Sequence, residues 1–125
     1  MKLLLDTHVV LWCVADPGAL SPQSRELLEN GGHELFCSVA SLWEIGVKAA
    51  LGKLRMQEDL LEALRQASIG LLSILPEHAL EVAKLPHNHG DPFDRMLVVQ
   101  AQKEGLTLVT RDLRLKHYFV PILEA

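Results

Sequence analysis

Asp6, Glu44, Asp94 and Asp112 are the residues of this chain whose type and spacing could do chemistry. Asp6 ends the apolar run LLLD and opens THVVLWCVA; Asp112 follows LTLVT in the same way, two residues on. Either acid alone suits an N-cap or a turn. Two acids at the ends of two strand-like runs would share one edge of a sheet. Glu44 lies in a helix-like stretch that is apolar nearly all round (Val39, Leu42, Trp43, Ile45, Val47, Ala49, Ala50). A carboxylate in that company is costly to bury unless a cation compensates it. Its two readings are an i,i+4 pair with Lys48 on an exposed stripe, or a position facing a polar cleft.

The fourth acid comes from HNHGDPFDRM, residues 87–96. His-x-His-x-Asp resembles the metal cage of metallo-β-lactamase-type hydrolases. That cage needs a further His directly after the Asp and more ligands downstream, whereas Pro92 and Phe93 follow here and only His117 remains. A helix start accounts for more of the segment: Asp91 as N-cap, Pro92 at the first helical position and Asp94 at the third. Steps of three, four and seven from Asp94 give Leu97, Val98 and Ala101, so Asp94 heads the apolar stripe. Asp91 has a sufficient structural job; Asp94 has one only in part, through the helix dipole.

Four carboxylates converging on one edge repel and raise one another's pKa values. Hard divalent cations neutralise such a cluster, and oxygen-only ligation favours Mg²⁺ or Mn²⁺ over zinc. A carboxylate-held metal site, with one ion or two, is apparatus for attack of water on a phosphodiester. Lys48, Lys53, Arg55, Arg95, Arg111, Arg114 and Lys116 are the nearby cations. Arg95 and Arg111 flank two of the acids, where each could meet a phosphate or form a salt bridge. Trp12 and Trp43 could stack on bases, but their apolar neighbours favour the core.

The elements that must position these groups alternate. Strands are expected at 2–6, ELFCS (34–38), IGLLSIL (69–75), LTLVT (106–110) and YFVPIL (118–123), the last an edge strand because of Pro121. Helices are expected at 7–15, from Ser21 to Gly31-Gly32, in SVASLWEIGVKAALGKL with Ser38 as cap and Gly52 as stop, at QEDLLEALRQAS (57–68), PEHALEVAKL (76–85) and 91–105. Leu60, Leu61 and Leu64 form one apolar stripe, read as core with part of it a possible partner face. Alternating strands and helices imply a single α/β domain over 1–125, a three-layer α/β/α sandwich around a parallel sheet. In such sheets ligands gather beyond the carboxyl ends of the strands.

With 49% hydrophobic and 22% charged residues the chain can form one packed core. No apolar run reaches the ~18–20 residues of a membrane span, and Asp6 and His8 interrupt what could pass for a leader; the expected compartment is the cytoplasm. Cys13 and Cys37 lack metal-ligand spacing and read as buried thiols. A net charge of −4 argues against coating nucleic acid with a broad basic surface. It leaves room for a nuclease that meets its polyanion through metal ions and a local patch.

LLLDTHVVLW (3–12), SVASLWEIGVKAALGKL (38–54), HNHGDPFDRMLVVQA (87–101) and LTLVTRD (106–112) together resemble the PIN-domain family, and in particular VapC-type toxin ribonucleases. The resemblance spans nearly the whole chain, and its DPFDR form is that of one subgroup. It implies a parallel α/β/α sandwich, Asp6, Glu44, Asp94 and Asp112 as catalytic metal ligands, and Thr7 and Thr110 as hydroxyls that orient them. A supporting role for Asp91 stays open. The resemblance further implies a Mg²⁺- or Mn²⁺-dependent endoribonuclease, homodimeric, silenced by a cognate antitoxin. The competing reading is a catalytically silent interaction module that keeps the acids as caps. A phosphoacceptor receiver domain lacks its acidic pair and strand-end Lys here, and a haloacid-dehalogenase-type phosphatase lacks its Asp-x-Asp. On sequence alone, RNA-cleavage assays should rank the variants: Asp94→Asn abolishes activity, Asp91→Asn weakens it less, and His87→Ala or His89→Ala matters least.

Overall fold

Leu3, Leu4 and Leu5 can follow one another without a polar break because β1 (Lys2–Leu5) is the middle strand of a sheet covered on both faces. In the computed structural model, which describes residues 1–55, 59–87 and 89–125, β1 pairs with β2 (Glu34–Ser38) on one side and β4 (Thr107–Thr110) on the other. Beyond them lie β3 (Ile69–Leu72) and β5 (Ile122–Glu124), giving the order β3-β2-β1-β4-β5 with every pairing parallel. The chain winds outward from β1 in one direction and then, after β3, in the other. The crevice between β1 and β4 is therefore the topological switch point.

Side chains alternate across the strands. Leu3 and Leu5 pack with Val9 and Val10 of α1 (Thr7–Ala15), Leu28 of α2 (Pro22–Glu29), and Leu60 and Leu64 of α4 (Leu60–Gln66). Leu4 and Leu108 pack on the opposite face with Leu97, Val98 and Ala101 of α6 (Pro92–Glu104), beside α5 (Pro76–Glu81) and a 3-10 turn at Val82–Lys84. Each fully buried leucine contributes about 1.5–3 kcal/mol. The expected three-layer α/β/α arrangement is what forms.

α3 (Val39–Ala50) differs from the other helices because it contributes to both clusters, through Ala40 on one side and Ile45 on the other. It begins directly after β2 and fully buries only a narrow face: Ala40, Ser41, Glu44 and Ile45. Val39, Trp43 and Val47, with Leu51 just past its end, form an exposed i,i+4 stripe, while Leu42 is half-buried against the core. Trp43, expected in the core, is 62% exposed and meets Phe93 edge to face at 5.0 Å. Leu61 is likewise exposed, whereas Leu60 and Leu64 are core.

α3 keeps its expected limits, with Ser38 as cap and a stop at Gly52, which takes a left-handed φ of 73° just past the last turn. Several other boundaries shift from the expected ones for local reasons. The start of the expected 57–68 helix, at Gln57 and Glu58, lies outside the described residues. The 76–85 helix tightens to a 3-10 turn from Val82, and β3 ends at Leu72 rather than 75. The last strand is shorter and later than 118–123. Tyr118 closes a 3-10 turn (Leu113–His117), and the Pro121 carbonyl takes the Leu108 N–H as the strand begins. Cys13 and Cys37 are both free thiols.

One buried polar bridge fixes α3 on α6. Ser38 caps α3 by accepting the Ala40 N–H at 2.9 Å, and its hydroxyl donates to Gln100 Oε1 at 2.6 Å. Gln100, fully buried on α6, donates in turn to the Ser73 carbonyl at 3.2 Å. Truncating it orphans both partners and opens a void. Gln100→Ala should therefore cost about 2–3 kcal/mol in urea denaturation with an unchanged m-value.

Candidate active site

Asp6 is the N-cap of α1, where its Oδ1 accepts the Val9 N–H at 2.9 Å. Its other oxygen takes the buried Thr110 hydroxyl, and the Asp112 N–H donates to that same hydroxyl at 3.0 Å. One threonine at the end of β4 thus ties together the acids that follow β1 and β4. Burial raises the Asp6 pKa, with the Thr110 and Val9 hydrogen bonds opposing the rise.

Glu44 makes the expected pair with Lys48, but from a buried position that lines the cleft and not from an exposed stripe. It is 3% exposed and also paired with Lys48, whose ammonium donates to Oε2 at 2.6 Å. Thr7 donates to Oε1 at 2.6 Å and stands 3.0 Å from the Ser41 hydroxyl. The Lys48 pKa is raised, chiefly by its bond to Glu44. The pair stands on a helix face turned inward, so i,i+4 spacing did not require an exposed stripe.

Asp91 caps α6, accepting from Phe93 N–H at 2.8 Å and Asp94 N–H at 3.2 Å. Asp94, one turn in, is the most strained carboxylate of the group. Burial pushes its pKa up to about 7, and the charges of Asp91, Asp6 and Glu44 add to the rise while His89 opposes it. Asp112 goes the opposite way: Arg114 grips both its oxygens, at 2.9 and 2.7 Å, and with His89 holds it far below the usual carboxylate range.

Asp6, Glu44, Asp91, Asp94 and Asp112 all line one cleft of about 370 Å³, together with Thr7, Trp12, Lys48, Arg111 and Arg114. The four expected acids are therefore brought to a single opening. Thr110, buried behind Asp6, completes the set. Five carboxylates face three permanent cations there, a surplus of negative charge that suits a divalent ion. Among the described residues, donor atoms come within 4.8 Å of one another at His89, Asp94 and Asp112. Asp94 and Asp112 could share an ion there, and Asp6 and Glu44 line the same cleft.

Two expected phosphate contacts are otherwise engaged. Arg95 is buried, and its guanidinium meets the carbonyls of Val82, Leu85, Pro86 and His89 and the Tyr118 hydroxyl. It points away from its neighbour Asp94 because adjacent helical residues face directions about 100° apart. Arg111 does line the cleft, but it is held by the Ala125 and Ala19 carbonyls and lies 4.3 Å over the half-buried Trp12 ring. Arg114 and Lys48 are the cations with exposed side chains at the rim.

His89, placed last in the sequence ranking, is the residue that ranking missed. It is nearly buried, with Nε2 3.1 Å from Asp112 Oδ2 and 3.4 Å from Asp94 Oδ2. The available signal was its place two residues before the α6 cap. Testing it only as one member of a His-x-His-x-Asp cage hid that role. His87 is exposed.

A parallel 3-2-1-4-5 sheet with acids gathered at its switch point defines a recognisable class, and a profile of the PIN domain matches residues 3–119. The chain belongs to the PIN-domain family. It is 31% identical over 122 residues to Ribonuclease VapC22 of Mycobacterium tuberculosis, an alignment covering 95% of this chain and 93% of the relative. Its fold superposes on the structure of VapBC2 from Rickettsia felis bound to a promoter DNA fragment (TM-score 0.74, 16% identity, 99% and 98% of the two chains). It also superposes on DNA-bound VapBC from Salmonella typhimurium (TM-score 0.68, 20% identity, 99% and 98%).

The strain at Asp94 makes a prediction about metal-free protein. Between the ordinary carboxylate pKa of about 3.8 and its folded value of about 7, the unfolded chain releases the Asp94 proton and the folded chain keeps it. Stability contributed by this group is therefore lost as pH rises through that window. In EDTA at pH 8, Asp94→Asn should melt about 4–8 °C above wild type, and the gap should close toward pH 5. Paired thermal melts at the two pH values check it.

Proposed function

We propose that this chain is a metal-dependent endoribonuclease, the toxin of a toxin–antitoxin pair, working in the cytoplasm as a homodimer and held silent by a cognate antitoxin. The observation that carries this reading is the convergence of Asp6, Glu44, Asp94 and Asp112 on one cleft at the sheet's switch point. The curated relative bears the name ribonuclease, which supports RNA as the substrate. The fold's likeness to VapBC complexes supports an antitoxin partner. The exposed Val39–Trp43–Val47–Leu51 stripe beside the cleft offers that partner, or a second copy, an apolar surface. With a net charge of −4, this chain leaves contact with DNA in any such complex to its partner.

Asp94, Asp112 and Asp6 would hold one or two ions, all through oxygen, which fits Mg²⁺ or Mn²⁺. Bound there, such an ion would supply Lewis-acid charge beside a phosphodiester and would lower the pKa of water for hydrolysis. The chain's own residues prepare the rest. Thr110 fixes the oxygen of Asp6 that faces Asp112, and Thr7 with Lys48 fixes both oxygens of Glu44 against the cleft. Asp91 supports the site by presenting Asp94 at the start of α6. Lys48 and Arg114, rather than Arg95, stand where a phosphate enters. Arg111 backs the wall through Trp12.

Purified protein with Mg²⁺ or Mn²⁺ should cleave single-stranded RNA, and EDTA should stop it. Asp6→Asn and Asp94→Asn should each cost about 10²–10³-fold in rate. Undiminished cleavage by either variant sinks the proposal. Calorimetry detecting no divalent-ion binding at millimolar concentration favours the silent interaction module instead.

A further inference from the structure

His89 sits between two of the acids with its ring held from behind. The Asp91 N–H donates to Nδ1 at 3.1 Å. A backbone amide can only donate, so Nδ1 presents its lone pair and the ring proton of neutral imidazole is on Nε2. That N–H is hydrogen-bonded to Asp112 Oδ2 at 3.1 Å and passes 3.4 Å from Asp94 Oδ2. A nitrogen carrying its proton has no lone pair to give a metal. Ligation through Nε2 would move the proton to Nδ1 and set it against the Asp91 N–H. His89 is thus built as a donor to carboxylates.

The rest of the loop keeps it there. Arg95 gathers the carbonyls of Val82, Leu85, Pro86 and, at 3.4 Å, His89 itself, and Tyr118 adds its hydroxyl to the same arginine. The imidazole side chain is only 7% exposed. The buried arginine one residue after Asp94 therefore fixes the backbone that carries the histidine.

We propose that His89 is a positioning residue for the metal site: its Nε2–H, set by the Asp91 backbone, holds the facing oxygens of Asp94 and Asp112 at the separation one divalent ion needs. The inference rests on the metal-dependent nuclease reading. The two carboxylates stand on different elements, one after β4 and one on α6; Arg114 anchors Asp112, and His89 is the side chain that reaches from Asp112 to Asp94. A shared donor keeps them convergent, and partners of this kind, hydrogen-bonded to metal ligands, are worth about 10–100-fold in metal affinity.

The test is Mn²⁺ binding, followed by calorimetry and by the Mn²⁺ spin-resonance spectrum, on wild type, His89→Gln, His89→Asn and Asp94→Asn. Gln can place an amide N–H at the Nε2 position. Asn can still accept from the Asp91 N–H but stops short of both acids. His89→Asn should bind Mn²⁺ about 10–100-fold more weakly, while His89→Gln should stay within about threefold of wild type. Mn²⁺-dependent RNA cleavage at saturating metal should recover most of the His89→Asn loss, since the defect lies in metal occupancy. Affinity of His89→Asn equal to wild type, or tighter, overturns the proposal, as does a His89→Gln as weak as His89→Asn. Wild type that binds no Mn²⁺, or an Asp94→Asn that binds as well as wild type, overturns the metal-site reading and this inference with it. Since both His89 variants keep a polar side chain, circular dichroism and melting curves separate a folding defect from lost affinity. Should His89→Asn not fold, the His89→Gln titration against wild type decides.

Discussion

Five carboxylates drawn to the carboxyl end of a buried parallel sheet set the terms for the structure around them. Each is answered by a different device. Asp6 spends one oxygen on a helix N-terminus and the other on Thr110; Glu44 takes Thr7 and Lys48; Asp91 caps α6; Asp112 takes Arg114 and His89. Asp94 is left with the smallest share of compensation, and its raised pKa records that. The site is most strained at the acid that heads the stripe packed on the sheet.

That arrangement depends on elements meeting where the sheet changes direction. β1 and β4 are neighbours in space, although about a hundred residues separate them in the chain. Their adjacency lets one threonine hydroxyl serve Asp6 and the Asp112 backbone together. α3 begins directly after β2, packs against both α1 and α6, and is held by Ser38 and Gln100. That placement leaves an exposed apolar stripe at Val39, Trp43, Val47 and Leu51.

The buried arginine shows how charge serves architecture here. Arg95 gives its donors to carbonyls of the loop before α6, converting an irregular segment into a fixed support. A guanidinium suits this work because its planar fork satisfies several acceptors at once and keeps its proton when buried. The loop so held presents His89 to the acids, so the residue beside Asp94 in sequence acts on the site from behind.

Local chemistry made much of this legible in the chain itself. The uninterrupted Leu3–Leu5 run, the Asp91-Pro92 helix start and the glycines closing helices fix the order and type of most elements, since they depend on neighbours a few residues away. The acids at strand ends were readable for the same reason: in a parallel sheet those positions share one edge. What the sequence could not decide were contacts between distant segments and the directions of side chains. Arg95 and Arg111 flank acids in the chain yet turn to carbonyls. Trp43, among apolar neighbours, is exposed because α3 buries only the face that carries Ala40, Ser41, Glu44 and Ile45. His89 acquires its role only when the end of β4 brings Asp112 beside the loop before α6. That Asp6, Asp94 and Asp112 converge was set by strand ends and helix starts along the chain; the inward turn of mid-helix Glu44 and the partners that hold the acids were set by tertiary packing, because a hydrogen bond across 23 residues, as between His89 and Asp112, has no local pattern to announce it.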